Sequence, residues 1–252
     1  MSNIRTIICR ILIMLTTLTA CVNIHAEPIK AAVASNFAEA ARNLARIFEE
    51  ETGSKVLISS ASTGKLYAQI VNGAPFDIFL SADAARPEKL VNDGVANAST
   101  LRTYANGQLM MVSNIPTLDA DCKSTLNSAA VTRIAIAEPK IAPYGKAAQE
   151  ALEKMELWQP LKQKLVRGEN VSQTLHFYVT GNAQIAFVAH SQAHLLTSTD
   201  QCSWVIPQSM HRPIEQKMVL LNNASAQASA FAEFLTSPRI RQLISSYGYQ
   251  LD

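Results

Sequence analysis

The chain alternates short apolar strand patterns with amphipathic helix patterns along almost its whole length. β-Branched and small apolar residues run from Ile29 to Ala34, and helix-spaced apolar residues follow from Phe37 to Glu50. The same succession of strand and helix recurs from Val56 to Val71 and again from Arg133 to Met155. Such alternation predicts an α/β fold in which mainly parallel sheets are flanked by helices.

Four of the predicted helices begin with a polar step, and three of these steps follow a predicted strand. The first turn of a helix carries N–H groups without intrahelical partners and the positive end of the helix dipole, so it favours an anion. In open α/β sheets, ligands bind beyond the carboxyl ends of the strands, where such helices begin. We therefore expect the steps to converge on an uncharged oxyanion site. They are Ser35-Asn36, Ser62-Thr63-Gly64, Tyr144-Gly145 and Asn170-Val171-Ser172.

A single step of this kind is ordinarily only a helix cap. Asn36, with Glu39 three residues later, matches a capping box and so predicts an ordinary cap at the first helix. Tyr144 is more distinctive, because aromatic residues are not favoured caps and its hydroxyl can donate to an anion.

Residues 1–26 have the pattern of an export signal. A start with two arginines precedes an apolar stretch from Ile11 to Ala20, which is about half of the roughly 20 residues that span a bilayer. We expect cleavage after Ala26 and a periplasmic protein. Lipidation at Cys21 is the alternative, but the first strand begins at Ile29 and would leave little tether.

The charge balance excludes one broad class of function. The predicted signal holds two of the 22 Lys and Arg residues and none of the 20 Asp and Glu residues, so the mature chain has 20 of each. A chain without a basic excess gives no reason to expect nucleic acid as a partner. Local geometry, and not overall charge, must attract an anionic ligand.

Cys122 and Cys202 are the two cysteines that remain after the signal. In an exported chain, such a pair predicts one disulfide, and two free buried thiols are the alternative. Neither cysteine has a Cys or His two to four residues away, which disfavours a zinc site.

Enzymatic and metal-binding functions are the alternatives from other classes. The stretch from Ser62 to Lys65 resembles a Walker loop but lacks the first Gly of that motif and the Ser or Thr after its Lys, so we expect Lys65 in solvent.

A hydrolase of anionic esters, with Ser35 or Thr63 as nucleophile, stays open because a base can be distant in sequence. His190 and His194 lack the Glu of the zinc-protease motif, and the four steps have no His, Asp or Glu cluster for a cation.

Five blocks of the sequence together carry a family resemblance. They are Val33 to Phe37, Ser60 to Tyr67, Gly73 to Asp83, Ala137 to Pro139 with Pro143 to Gly145, and Gly168 to Val171. In these blocks the chain resembles the periplasmic molybdate-binding proteins of ABC transporters, which are type II periplasmic binding proteins. The resemblance covers essentially the whole mature chain. It implies two lobes, each a mainly parallel sheet flanked by helices, with the ligand cleft between them.

The resemblance also implies which residues bind the ligand. Molybdate or tungstate would be held by neutral donors at Ser35 with Asn36, Thr63 with Ser62, Tyr144, and the backbone of Val171, without a cofactor. Ala189 stands where some members have a Tyr, so we expect the Tyr144 hydroxyl to replace that contact. The implied protein is a monomer that delivers its ligand to an ABC permease and is not an enzyme. A receptor for another tetrahedral oxyanion, such as sulfate or phosphate, is the nearest alternative.

The predicted domain division follows from the same arrangement. Residues 27–105 with 218–252 are assigned to lobe I, and residues 106–217 to lobe II. The chain is expected to cross between the lobes near Asn106 and from Glu215 to Met218, and the lobes are expected to close on the ligand.

Overall fold

The computed structural model describes residues 27–117, 121–196 and 202–251. The predicted export signal, with Cys21, lies outside the described residues. Within the described ranges, no helix is long and apolar enough to cross a bilayer.

The described residues form two five-stranded sheets with helices packed around them. The strands are β1 (Ile29–Ala34), β2 (Val56–Ala61), β3 (Ile78–Leu80), β4 (Arg102–Gly107), β5 (Leu109–Ser113), β6 (Ile134–Ala137), β7 (Leu165–Gly168), β8 (Ile185–Ala189), β9 (Cys202–Val205) and β10 (Ile214–Leu220). The α-helices are α1 (Ala38–Thr52), α2 (Thr63–Val71), α3 (Ala85–Asn92), α4 (Pro143–Lys154), α5 (Trp158–Leu161), α6 (Val171–Val179), α7 (Ala226–Thr236) and α8 (Pro238–Ser246).

The two sheets have the same pattern of strand directions. The first has the order β2-β1-β3-β10-β4 and the second β7-β6-β8-β5-β9. In each sheet four strands run in one direction, and the remaining strand, β10 or β5, is antiparallel to both of its neighbours. The predicted α/β fold with mainly parallel sheets is confirmed.

Helices cover both faces of the first sheet because successive strand residues point to opposite faces. Ala31 and Val33 of β1 pack into the core shared with α1, α7 and α8. Ala32, between them, packs with α2 and α3 on the other face. The second sheet forms one apolar core with α4 and α6. The β–α turns of both sheets are thereby held at the cleft.

Among the described residues, two crossing segments join the lobes. Gln108 alone separates β4 in the first sheet from β5 in the second. The chain returns after β9, and β10 pairs with β4 from Ile214, opposite Gly107, onward. The predicted boundary between 217 and 218 therefore falls inside β10, and the predicted boundary between 105 and 106 falls inside β4. The division into lobes itself stays a prediction.

The predicted disulfide between Cys122 and Cys202 is confirmed. It joins the 3-10 turn Cys122–Asn127 to the start of β9, with 5.4 Å between the two Cα atoms. The bond closes a loop with a sequence separation of 80 residues within the second lobe.

Candidate functional site

The four polar helix starts meet at one small cavity between the lobes. Ser35 and Asn36 follow β1, and Ser62 and Thr63 follow β2. The second lobe contributes the starts of α4 and α6. All six residues predicted to bind the ligand line the cavity, whose walls are Ala34, Ser35, Asn36, Ser62, Thr63, Ala82, Ala142, Pro143, Tyr144, Asn170 and Val171.

The cavity is lined by uncharged residues, both polar and apolar. None of its lining residues carries a charged side chain. The space available to the centre of a water-sized molecule is about 10 Å³, which is the lower limit for a single water molecule. Ligand selection here depends on hydrogen-bond donors and on size, because no charged side chain lines the space.

The first helix start differs from its prediction. Ser35–Phe37 form a 3-10 turn, so α1 begins only at Ala38, and its N-cap, Phe37, makes no side-chain capping bond. The capping-box prediction for Asn36 and Glu39 is therefore wrong. Asn36 Nδ2 instead donates to Gln216 Oε1 at 2.9 Å and to the Tyr249 hydroxyl at 3.1 Å. Its amide group is fixed by the body of lobe I.

The second helix start presents two hydroxyl groups. Ser62 is the N-cap of α2, but its side chain does not cap the helix. In the described part of the chain, its buried Oγ has no hydrogen-bond partner. Thr63 Oγ1 accepts a bond from the Ala82 N–H at 3.2 Å, which leaves the Thr63 hydroxyl proton as a donor. A buried hydroxyl without a partner costs about 1–3 kcal/mol, so Ser62 is suited to a ligand that accepts hydrogen bonds.

Tyr144 lies at the start of α4 with its hydroxyl group turned toward the crossing strands. The hydroxyl accepts a bond from Gln216 Nε2 at 3.3 Å and lies against Gly107. Burial, followed by the nearby Tyr249, raises the pKa of Tyr144 well above its usual range. The hydroxyl stays protonated at neutral pH, and because its oxygen accepts from Gln216, its proton is available to another acceptor.

The start of α6 offers backbone donors. Asn170 Oδ1 caps the helix by accepting from the Gln173 N–H at 3.0 Å. Val171 is the first helical residue, and N–H groups at this position have no intrahelical acceptor. Ala189 is fully buried at the end of β8 and has no polar side chain to offer.

The lobes touch directly around the cavity. The Gly64 N–H donates to Ile141 O at 2.8 Å, and Ser172 Oγ donates to Ser35 O at 3.1 Å. Lys65 Nζ is 2.5 Å from Glu169 Oε2, and its side chain is half exposed, so Lys65 pairs across the cleft edge and not with the cavity. These contacts, with the small cavity, describe a closed cleft.

Two α/β lobes, joined by crossing strands and closed on a polar cavity, define a solute-binding protein of the two-lobed type. Residues 29–250 match the family model described as bacterial extracellular solute-binding protein. The chain belongs to this family.

Two named relatives and one solved structure show which members of the family this chain resembles. The chain is 41% identical to the molybdate-binding protein ModA of Rhodobacter capsulatus over 226 residues, 89% of this chain and 88% of that protein. It is 40% identical to the molybdate-binding protein ModA of Azotobacter vinelandii, over 93% and 94% of the two chains. A solved structure of the periplasmic molybdate-binding protein of Azotobacter vinelandii superposes with a TM-score of 0.83 at 35% identity, covering 89% of this chain and 99% of that one. The predicted family resemblance is confirmed.

Some residues at the site carry no recognisable sequence signal. Gln216 and Tyr249 accept hydrogen bonds from the Asn36 side chain, and Tyr104 donates to Gln216, although all three lie far from Asn36 in sequence. The two histidines of the sequence analysis serve elsewhere. His194 Nε2 is 2.8 Å from Glu39 Oε1, and His190 Nδ1 is 3.3 Å from Gly248 O. Among the described residues, no group of three or more His, Cys, Asp or Glu is placed to hold a metal ion.

Proposed function

We propose that this protein captures a tetrahedral oxyanion, molybdate or tungstate, outside the cytoplasm and delivers it to an ABC permease. The observation that carries the proposal is the uncharged cavity at four helix starts, in which the buried Ser62 hydroxyl has no partner within the described chain. The names of the relatives at 40–41% identity support the choice of molybdate.

The proposed ligand contacts use neutral donors from both lobes. Lobe I supplies Ser35, Ser62, Thr63 and the backbone N–H of Asn36, whose two side-chain protons go to Gln216 and Tyr249. Lobe II supplies Tyr144 and the Val171 N–H. A buried dianion loses several kcal/mol of hydration per charge unless donors surround it. Hydrogen bonds to a charged group return about 1.5–3 kcal/mol each, and a partly buried helix start returns up to about 2 kcal/mol. Six donors are therefore sufficient without a cation or a cofactor.

Binding in this cleft couples to lobe closure. A ligand that contacts donors on both lobes binds the closed form more tightly than the open form, so it shifts the population toward closure. A permease that recognises the closed form then receives loaded protein preferentially. We propose that the protein acts as a monomer in the periplasm.

A binding function is favoured over hydrolysis by the surroundings of the two candidate nucleophiles. In the described chain, neither the Ser35 nor the Thr63 hydroxyl is hydrogen bonded to a His, Asp or Glu side chain. A nucleophilic hydroxyl needs such a base within reach.

The proposal is tested by thermal unfolding of the mature protein with molybdate, tungstate, sulfate or phosphate. Ligand at about 100 times its dissociation constant adds about 2.7 kcal/mol, which corresponds to about 5–10 °C for a chain of this size. We expect this shift with molybdate and tungstate only. No shift with any of the four anions would refute the proposal, and a shift with sulfate or phosphate alone would replace its ligand.

Ser35→Ala tests the first-lobe contacts. We expect molybdate affinity to fall by about 1–2 kcal/mol, the scale of one hydrogen bond to a charged group. Calorimetric titration measures the loss, and Ser229→Ala, an exposed serine on α7, is the matched control. An unchanged dissociation constant for Ser35→Ala would remove Ser35 from the site.

A further inference from the structure

A hydrogen-bonded amide lies behind the cavity, on the strand that joins the lobes. Gln216 of β10 is fully buried. Its Oε1 accepts from Asn36 Nδ2 and from the Tyr104 hydroxyl, both at 2.9 Å. Its Nε2 donates to the Tyr144 hydroxyl at 3.3 Å. One side chain therefore contacts a proposed ligand residue from each lobe.

An irregularity in the backbone of β10 accompanies the position of the Gln216 side chain between Asn36 and Tyr144. The pairing of β10 with β4 shifts register between Gln216 and Lys217. Such irregularities redirect side chains that a regular strand would place elsewhere. Gln216 thus lies at the register shift between β10 and β4, the two strands that border the crossings between the lobes.

Gly107 independently shows how closely these groups are packed. It is the last residue of β4, and a Cβ added there would lie 2.2 Å from the Tyr144 hydroxyl oxygen and 2.8 Å from Gln216 Nε2. Contacts below 3.0 Å require something to move. The close approach of Tyr144 to Gln216 therefore needs a residue without a side chain at position 107.

The direction of the bonds has a chemical consequence. Because Gln216 donates to the Tyr144 oxygen, the hydroxyl proton is left for a different acceptor. Because Gln216 accepts from Asn36 Nδ2, the Asn36 amide cannot rotate freely at the cavity wall. The bond to Tyr144 also joins a lobe I strand to a lobe II helix, so it depends on the closed arrangement.

We propose that Gln216 is a positioning residue for oxyanion binding, which orients the Tyr144 hydroxyl of one lobe toward the ligand and holds Asn36 of the other lobe in place at the cavity wall when the cleft closes. This inference rests on the proposed function. Gln216 need not touch the anion. It acts by holding two donors in the geometry that the closed site requires.

A double-mutant cycle with molybdate as the probe tests this role. Gln216→Met removes the amide and retains the length of the side chain, and we expect about a tenfold loss of affinity by calorimetric titration. Tyr144→Phe in the wild-type background should lose a similar factor. Added to Gln216→Met, it should cost less than threefold, because an unpositioned hydroxyl contributes little. A purely structural role for Gln216 would leave the cost of Tyr144→Phe the same in both backgrounds, and that result would overturn the proposal.

The matched control is Gln184→Met. Gln184 Oε1 accepts bonds from Thr132 and Arg133 within lobe II, so its loss should lower stability without changing molybdate affinity. If Gln216→Met does not fold, Gly107→Ala displaces the same hydroxyl, because the added Cβ would lie 2.2 Å from its oxygen. Its expected loss of about tenfold should also shrink below threefold in the Tyr144→Phe background.

Failure of this inference is distinguishable from failure of the proposed function. If wild-type protein binds none of the oxyanions, the proposed function fails before any variant is compared. If the wild type binds molybdate and both Gln216→Met and Gly107→Ala bind it equally well, the inference about Gln216 is wrong and the proposed function stands.

Discussion

Gly64→Ala isolates the contribution of lobe closure to ligand binding. Gly64 lies in the first turn of α2 in lobe I, and its N–H donates to Ile141 O of lobe II at 2.8 Å. A Cβ at this position would meet Ile141 Cα at 2.9 Å and its carbonyl oxygen at 3.0 Å. These atoms belong to the backbone of the opposing lobe, so no side-chain rotation relieves the clash.

The size of the effect follows from these distances. Carbon atoms pack at about 3.5–4.0 Å, so the lobes must separate here by about 0.6–1 Å. The bond from Gly64 to Ile141 would then exceed 3.3 Å and be largely lost, which costs about 0.5–1.5 kcal/mol. Stretched bonds from the adjacent Ser62 and Thr63 to the charged ligand add about as much again or more. We expect a total loss of about 2–4 kcal/mol, or about 30- to 1000-fold in the molybdate dissociation constant.

The ligand-free protein should respond in the opposite direction. Alanine is a better helix former than glycine by up to about 1 kcal/mol, and in the open form no neighbouring lobe opposes it. Calorimetric titration and thermal unfolding without ligand therefore report two changes of opposite sign. The control is Gln69→Ala, an exposed change further along α2. A Gly64→Ala protein with wild-type affinity would refute the argument that this contact limits closure.

Three further predictions concern the Tyr144 hydroxyl, the disulfide and the buried tyrosines. Tyr144→Phe should weaken molybdate binding by about 1–2 kcal/mol in a calorimetric titration, because one hydrogen bond to the anion is lost; unchanged affinity would move the hydroxyl out of the site. Replacing Cys122 and Cys202 by Ser should lower the free energy of chemical unfolding by about 2–5 kcal/mol with little change in affinity; equal unfolding midpoints would contradict it. Burial raises the pKa of Tyr104, Tyr144 and Tyr249 in the folded protein. Below the unfolded pKa of about 10 these tyrosines are neutral in both states, and their contribution to stability is fully present. As pH rises above about 10 the unfolded chain loses these protons first, so the stability should fall. Denaturation midpoints at pH 9 and pH 11 measure that loss, and equal midpoints would count against it.

The secondary structure could be predicted where the sequence pattern is local and strong. The bounds predicted for β1 are those observed, because all of its residues except Lys30 are apolar and buried. The edge strands β7 and β9 were not predicted. Each has four residues and is only partly buried, so neither shows a long apolar run. Their place in the sheet depends on pairing with distant strands.

The residues of the site could likewise be predicted where they follow a local sequence pattern, and not where they depend on contacts distant in sequence. The helix starts could be predicted because a polar step after a strand is a local pattern, and all four lie at the cavity. The partner of Asn36 could not be predicted, since Gln216 is 180 residues away and becomes its neighbour only when β10 joins the first sheet. The capping-box prediction was wrong for a related reason, because tertiary bonds hold Asn36 away from the end of α1.

One set of contacts sets both the degree of closure and the size of the cavity. The donors are uncharged, so they cannot separate tetrahedral dianions by charge, and size must decide among them. The Gly64–Ile141 contact limits how far the lobes close. We therefore expect a smaller anion such as sulfate to leave some donors unpaired, and a larger one to stop the lobes before that contact forms. Both lose part of the closure energy. We therefore expect selectivity to depend on the contact between the lobes as much as on the residues proposed to touch the ligand, and Gly64→Ala should reduce the expected preference for molybdate as well as the affinity.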